Sequence, residues 1–145
     1  MDYKAIFKKI AIKIFILIVI MLILYFAIKI LYSQDALYKT SYEQALRIID
    51  GDTFATSNEE TIRLLCVDTP EINQKGYLDS KNFLSNSILG KEVIIERQGI
   101  DMYNRTLAWV SVNNTNEIIL VNKDIIKKGF GTLFEYNGTN CERTN

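Results

Sequence analysis

The stretch Ile62-Arg63-Leu64-Leu65-Cys66-Val67-Asp68-Thr69-Pro70-Glu71 decides the fold, because it joins an apolar run to three charged side chains. Residues 64–67 are apolar and partly β-branched, which predicts a buried strand. Pro70 cannot donate to a sheet ladder, so we expect the strand to end just beyond Asp68. Asp68 and Glu71 then lie at the end of a rigid strand and in the turn that follows, where carboxylates are held in place without being buried.

Two further segments place charged side chains beside strand-like runs. Upstream, Ile49-Asp50-Gly51-Asp52-Thr53 is an acidic turn, and together with residues 62–67 it predicts a β-hairpin. Taken alone, this turn is an ordinary one, because Asp and Gly suit turn geometry. Downstream, Asp101-Met102-Tyr103-Asn104-Arg105 places an arginine directly before a second strand-like run at 107–112. The three segments in this order are a more specific pattern than any one of them.

In this order the segments resemble the staphylococcal nuclease family, calcium-dependent phosphodiesterases built on an OB-type β-barrel. The resemblance covers residues 45–136, with Val121, Asn122 and Gly129 as weaker matches downstream. It implies a five-stranded OB-type β-barrel with two short helices. With the apolar N-terminal segment described below, the predicted fold class is α+β, preceded by one transmembrane helix.

The resemblance also implies roles for single residues and a Ca²⁺-dependent nuclease that cleaves DNA, with RNA left open, to 5′-hydroxyl and 3′-phosphate ends. It assigns catalysis to Arg63, Glu71 and Arg105, calcium binding to Asp52, Asp68 and the backbone carbonyl of Thr69, and substrate contact to Tyr103 and Tyr136. Calcium prefers oxygen ligands, which two carboxylates and a carbonyl supply. A planar guanidinium meets two phosphate oxygens at once, which lysine does not. Glu71 is the implied general base.

The residues leave other interpretations open. The chain contains no histidine, which removes the commonest general base and most zinc or iron sites. Taken in pairs, Arg63 with Asp52 and Asp68 is also explained as a structural ion pair, and Arg105 with Asp101 as a turn contact. An inactive OB-type module that binds nucleic acid or a protein at the membrane is therefore one alternative, and a purely structural membrane protein is another.

The N-terminal segment is basic and then apolar. Four lysines lie in residues 1–13, and residues 14–28 contain no charge, Gly or Pro. A helix over 14–32 is about 28 Å long, close to the ~30 Å hydrocarbon core of a bilayer. This predicts a single-pass anchor with a cytoplasmic basic segment and the nuclease-like domain outside, extracellular or periplasmic. A cleaved signal peptide, which would make the domain secreted, is the rival interpretation, although no small-x-small cleavage site is evident.

The remaining elements follow from apolar spacing and turn residues. The sequence predicts a linker at 33–44, strands at 45–49, 93–96, 107–112 and 118–121, a helix at 77–89 that stops at Gly90, and a short helix at 123–128 capped by Asn122 and stopped at Gly129. Residues 137–145 are a predicted tail that leaves no room for the long C-terminal helix of related domains. We expect a monomer whose uncovered apolar surface is open to a partner.

The charge of the predicted domain limits its binding mode. From residue 30 onward, 12 Lys and Arg stand against 16 Asp and Glu, a net charge of minus four. The domain lacks the broad basic footprint that drives tight nucleic-acid binding. We therefore expect local cleavage of single-stranded or flexible DNA held by two arginines and the metal.

The two cysteines, Cys66 and Cys141, leave a choice open. Cys66 is explained as a small hydrophobe in a core strand. An oxidising exterior would also permit a disulfide, provided that the Cα atoms lie within about 7 Å of each other.

Overall fold

The computed structural model describes residues 3–37, 40–115, 117–135 and 138–144. Contacts divide the chain into two compact units, Met1–Ala36 and Leu37–Asn145. The helices and strands in chain order are α1 (Tyr3–Leu37), β1 (Thr40–Ile48), β2 (Thr53–Thr56), β3 (Thr61–Leu64), β4 (Val67–Asp68), α2 (Tyr77–Ile88), β5 (Glu92–Ile100), β6 (Thr106–Asn114), β7 (Glu117–Leu120), α3 (Val121–Lys127) and β8 (Thr132–Leu133), followed by a single 3₁₀ turn at Glu142–Thr144.

Helix α1 makes up the first unit. Within it, Lys8–Ile30 is a run of 23 residues with mean hydropathy 2.9, and none of the run is buried. By length and composition this run is sufficient to cross a membrane. The helix contains the predicted span 14–32 and continues through residues 33–37, which the sequence analysis assigned to a linker.

The second unit is a closed barrel. Its strands follow the order β3-β2-β1-β5-β6 with antiparallel neighbours, and parallel pairing of β3 with β6 closes the ring, where Ile62 lies beside Thr106. Strand β7 extends the sheet beyond β6. The predicted α+β fold with a five-stranded OB-type barrel, short helices and an N-terminal apolar helix is thus confirmed.

The barrel interior is a single apolar core covered by α2. Its fully buried members include Phe54, Ile62, Leu84, Ile88, Val93, Val110 and Ile125. Helix α2 buries Ser80, Leu84 and Ile88, which recur every four residues and therefore share one face. The helix ends at Ile88, close to the predicted position, and Gly90 follows with a φ of +74° that suits glycine.

Two predicted strands differ from the structure. Strand β1 begins at Thr40 rather than at residue 45, because residues 40–44 pair with residues 92–96 of β5. The predicted strand at 64–67 is wrong: β3 ends at Leu64, and Cys66 takes a left-handed φ of +62° before β4 begins. The strand ends and the bend between them are all buried, so an unbroken apolar run conceals the turn.

The predicted capping role of Asn122 is also wrong. Helix α3 starts at Val121, and Asn122 is fully buried in its first turn. The Asn122 side chain accepts the backbone N–H of Val110 at 2.8 Å and donates to the carbonyls of Leu65 and Ala108 at 2.9 and 3.1 Å. Asn122 therefore ties the bend after β3 to strand β6.

Cys66 and Cys141 form a disulfide whose Cα atoms lie 5.7 Å apart. Both residues are buried in a second apolar cluster with Leu65, Leu107 and Trp109. The structure thus decides the choice that the sequence left open, in favour of the bridge.

Candidate active site

The barrel closure brings the three charged segments together. The acidic turn lies between β1 and β2, and pairing of β2 with β3 sets Thr53 opposite Arg63. The parallel pairing of β3 with β6 sets Ile62 beside Thr106. Arg63 therefore follows this pair in β3, and Arg105 precedes it in the turn before β6, although 42 positions separate the two arginines in the sequence.

Four predicted site residues line one open pocket. The pocket has a volume of about 430 Å³, and its lining consists of Arg63, Glu71, Tyr103 and Arg105. Two arginines and one glutamate thus border the same space. Tyr136, the other predicted substrate contact, lies outside the described residues.

Asp52 is the buried carboxylate of the site. It is 2% exposed and forms an ion pair with Arg63. The hydroxyl of Thr53 donates to one carboxylate oxygen at 2.8 Å, and the backbone N–H and hydroxyl of Thr69 donate to the other at 3.2 Å each. Burial raises the pKa of Asp52 to about 6, while the Arg63 guanidinium acts in the opposite direction. Asp52 is therefore mostly ionised at neutral pH, with its charge met by Arg63.

Arg63 also contacts β4. Its guanidinium donates to the carbonyl of Val67 at 3.2 Å and lies 3.4 Å from a carboxylate oxygen of Asp68. The Asp68 side chain is 51% exposed. One arginine thus connects the buried Asp52 to the solvent-facing Asp68, and the structural ion pair considered from the sequence is present.

The donor atoms suit a hard cation, although they do not form a complete acidic cage. Within the part of the chain that the structure describes, no group of three His, Cys, Asp or Glu side chains is arranged to hold a metal. The carboxylates of Asp52 and Asp68 do approach one positive group, the Arg63 guanidinium. Asp52 and Asp68 offer carboxylate oxygens, the donor type that Ca²⁺ prefers, but both face the Arg63 guanidinium in this structure.

The turn that carries Arg105 is held by Asp101. One Asp101 carboxylate oxygen accepts the backbone N–H groups of Tyr103 and Arg105 at 2.9 Å each, and the other accepts the Arg105 side chain at 2.7 Å. Burial opposes the charge of Asp101, but these bonds from Arg105 and Tyr103 hold its pKa below the usual range. Arg105 also lies over the Tyr103 ring at 5.2 Å. The predicted turn contact is therefore present, and it orients the guanidinium.

Glu71 lies on the exposed loop after β4. Its backbone N–H donates to the side-chain oxygen of Gln74 at 2.9 Å, and the N–H of Gln74 donates back to the Glu71 carbonyl at 2.9 Å. These two bonds fix the backbone of the loop where Glu71 borders the pocket. Gln74 was not singled out from the sequence, and its spacing three residues after Glu71 is the signal for such a turn.

Two small residues beneath the site were also missed. Gly51 lies so close to α2 that an added Cβ would come within 2.6 Å of the Ser80 Cβ and the Thr69 hydroxyl. The Ser80 hydroxyl donates to the carbonyls of Gly76 and Phe130. Glycine between two aspartates was interpreted as a turn former, whereas the structure shows that its lack of a side chain lets α2 pack under Thr69.

Comparisons with known proteins agree with this geometry. A family model described as "Staphylococcal nuclease homologue" matches residues 61–145, a segment that holds every predicted site residue except Asp52. The curated relatives include an uncharacterized protein of Methanocaldococcus jannaschii, 31% identical over 125 residues, with 66% of this chain and 60% of that protein covered. An "Uncharacterized endonuclease" of Haemophilus influenzae is 33% identical over 96 residues, with coverage of 63% and 52%.

A third relative, Protein ParB of Escherichia coli, is 26% identical over 103 residues, with 66% of this chain and 58% of that protein covered. The chain thus spans between half and three fifths of the length of these three relatives. The family match extends over more than half of the chain and includes both arginines and the exposed glutamate of the pocket. This chain therefore belongs to the staphylococcal nuclease homologue family.

Proposed function

We propose that the chain is a Ca²⁺-dependent nuclease that hydrolyses phosphodiester bonds of DNA, with RNA as a second substrate. The observation that carries the proposal is the pocket in which Arg63, Glu71 and Arg105 meet. Two fixed cations beside an exposed carboxylate suit an anionic phosphodiester and an attacking water. Family membership and the relative named an endonuclease support the same reaction class.

Arg63 and Arg105 bind the reacting phosphate. Each guanidinium is already paired with a buried carboxylate, Asp52 and Asp101 respectively. The pairing orients the planar donors before the substrate arrives, so that little reorganisation is needed when charge builds up on the equatorial phosphate oxygens. A bidentate guanidinium is well matched to that charge.

Glu71 takes a proton from the attacking water, and the water oxygen forms a bond to phosphorus. The bond from phosphorus to the 5′ oxygen breaks, and the leaving oxygen takes a proton from solvent. The products are a 5′-hydroxyl and a 3′-phosphate. Asp52, Asp68 and the Thr69 carbonyl would hold Ca²⁺, which supplies positive charge beside the phosphate when bound.

The substrate is a single-stranded or flexible segment. The Tyr103 side chain is 71% exposed at the rim of the pocket, where it offers a flat surface to a base or sugar. The net charge of minus four from residue 30 onward disfavours a long electrostatic footprint. A short, mobile strand reaches the two arginines without requiring such a footprint.

The domain works outside the cytoplasm, attached to the membrane by its N-terminal helix. The apolar run Lys8–Ile30 is long enough to span a bilayer. Lysines cluster at its N-terminal end, which favours a cytoplasmic N-terminus. The disulfide supports an oxidising location for the barrel.

A second candidate function is an inactive binding module, and one observation favours it. The carboxylate oxygens of Asp52 already accept bonds from Arg63, Thr53 and Thr69. A cation at this site would have to displace part of that network. A module that keeps the network intact would bind a nucleic acid or a protein without cleaving it.

The test is cleavage of a fluorescent single-stranded DNA by the full chain in detergent micelles, with Ca²⁺ and with a chelator. We expect cleavage with Ca²⁺, none with the chelator, and cleavage slowed at least about 10²-fold in Glu71→Gln. The matched control is Glu117→Gln at the exposed start of strand β7, which should cleave as the parent does. A folded parent protein that binds the DNA without cutting it would support the binding module instead.

A further inference from the structure

The strand that carries Asp68 lies outside the barrel sheet. In the described residues, β4 pairs only with β8, where Asp68 lies opposite Thr132. Phe134, directly after β8, donates its backbone N–H to the Cys66 carbonyl at 3.2 Å. The C-terminal part of the chain therefore supplies the backbone pairing of β4.

The bend before β4 has one end held by the barrel. The N–H of Leu65 donates to the Ala108 carbonyl at 2.9 Å, and the Leu65 carbonyl accepts from Asn122 at 2.9 Å. The next residue, Cys66, takes the left-handed φ of +62°, which is unfavourable for a residue with a Cβ atom. A strained backbone persists only where its surroundings hold it. Beyond Cys66 the barrel contributes the core packing of Val67 and the bonds from Thr69 to Asp52, and the C-terminal segment contributes the backbone pairing of β4.

The disulfide is the covalent part of that hold. It joins Cys66 to Cys141, 75 positions later, inside the cluster that contains Trp109. The tail also forms an ion pair with the barrel: Arg143 bonds to Glu96 at 2.9 and 3.1 Å, and its guanidinium lies 5.2 Å from the Trp109 ring. The side chains of Arg143 and Glu96 are 45% and 34% exposed, so their ion pair contributes little.

The position of β4 matters to the reacting groups. Arg63 donates to the Val67 carbonyl at 3.2 Å and faces Asp68 at 3.4 Å. Both of these partners belong to β4. A shift of β4 would leave Arg63 held only from the Asp52 side, and a guanidinium held from one side has more freedom to rotate.

We propose that the Cys66–Cys141 disulfide is a positioning element of the active site, holding β4 so that Arg63 and Asp68 keep their catalytic orientation. The inference rests on the proposed nuclease function. A dithiol reductant donates two electrons and two protons, which converts the bridge to two thiols and the dithiol to its own disulfide. The C-terminal segment is then no longer joined covalently to Cys66, β4 loosens, and turnover falls while the barrel stays folded.

Two double variants separate positioning from packing. Cys66→Ser with Cys141→Ser removes the bridge and places hydroxyls in an apolar cluster. Cys66→Ala with Cys141→Val removes the bridge but refills the cluster, and alanine is chosen at 66 because a β-branched residue would be strained at a positive φ. The control is Arg143→Gln, which breaks the tail's ion pair with Glu96 and keeps the disulfide.

The full chain is measured in detergent micelles by backbone amide exchange and by steady-state cleavage. We expect exchange at Asp68, Thr132 and Phe134, whose N–H groups face the partner strand, to accelerate about tenfold in both double variants, while β5 and β6 stay protected. We expect kcat to fall about tenfold with KM changed by less than about threefold, because the lost orientation is needed in the transition state. Arg143→Gln should match the parent within about twofold.

Dithiothreitol treatment of the parent protein, followed by reoxidation, provides the same comparison if a double variant fails to fold. Unchanged exchange at β4 and β8 in folded protein without the bridge would overturn the proposal. Recovery of full kcat by Cys66→Ala with Cys141→Val would also overturn it, since packing alone would then suffice. If the oxidised parent cleaves nothing, the nuclease proposal fails, and the exchange data still decide whether the disulfide holds β4.

Discussion

Two carboxylates of the same site, Asp52 and Glu71, are held in opposite ways. Asp52 is 2% exposed and bonded to Arg63, Thr53 and Thr69. Glu71 is exposed, and the bonds that hold it involve its backbone and Gln74. The barrel wall therefore carries a preformed charge network, and the loop carries the group that the proposal assigns to proton transfer. Substitutions in the two regions should separate chemistry from stability.

The largest expected effect is on the loop side. Glu71→Gln should lower kcat by about 10²–10⁴-fold, the usual contribution of a general base. Its free energy of unfolding should stay within about 0.5 kcal/mol of the parent, because an exposed side chain is exchanged. Single-turnover cleavage and urea denaturation of the same sample measure the two quantities. If Glu71→Gln lost as much free energy of unfolding as of transition-state stabilisation, Glu71 would be a structural residue like Asp52.

On the barrel side, activity and stability should fall together. Arg63→Gln should lower kcat by about 10²-fold or more. It should also cost about 3 kcal/mol of stability, because the buried Asp52 carboxylate loses its charge partner. Arg105→Gln should lower kcat similarly but cost only about 1 kcal/mol, since Asp101 keeps the two backbone N–H donors of its turn. Equal stability losses in the two variants would contradict this difference.

Part of the fold and of the candidate site could be predicted from the sequence alone. Single strands and helices follow from apolar spacing, and the end predicted for helix α2 lies within one residue of Ile88. The barrel itself was implied by the family resemblance. The site residues came from three short segments whose order is typical of the family. Arg63, Glu71, Tyr103 and Arg105 do line one pocket, because strand closure brings together segments that are distant in the chain.

What the sequence could not predict depends on distances between remote residues. The bend at Cys66 lies inside an unbroken apolar run, and the disulfide needs a separation that only the fold defines. Asn122 stands at a helix start, a position typical of a cap, yet the register of β6 places its amide against Val110 and Ala108. Gly51 suits its turn, and only the packing of α2 shows why no larger residue fits.

An intermediate effect is expected where Gly51, in the turn between β1 and β2, packs against helix α2. Gly51→Ala should destabilise the protein by about 1–3 kcal/mol, because the new Cβ would come within 2.6 Å of Ser80 and Thr69. Thr69 bonds to Asp52, so activity should fall as well. The matched control is Gly99→Ala in β5, where an added Cβ meets nothing within 4 Å and the change should stay within about 0.5 kcal/mol. Equal Tm values for the two variants would show that α2 can move away from the turn.

The smallest effect, about 1 kcal/mol per pH unit, is a difference in the pH dependence of stability between the site and a second ion network centred on Arg97. There Arg97 bonds to Glu43 and Glu60. Burial opposes the charge of both glutamates, yet their bonds to Arg97 and to neighbouring hydroxyls hold the pKa of each below its usual range. Groups of this kind stabilise the fold above their unfolded pKa, so this contribution should be lost as pH falls below about 4.5.

Asp52 should act in the opposite direction. Burial raises its pKa to about 6 from 3.8, so the folded protein binds a proton more tightly than the unfolded chain and gains stability as pH falls from about 6 to about 4. Urea denaturation in a calcium chelator should therefore show a stability maximum between the two windows. Asp52→Asn should reduce the loss of stability as pH increases above the maximum. Glu43→Gln should reduce the loss of stability as pH decreases below it. If stability changed equally between about pH 6 and about pH 4 in Asp52→Asn and in the parent, the buried Asp52 carboxylate would not be the source of that change. Asp52 would then stay ionised beside Arg63 at acidic pH, as the glutamates beside Arg97 do at neutral pH.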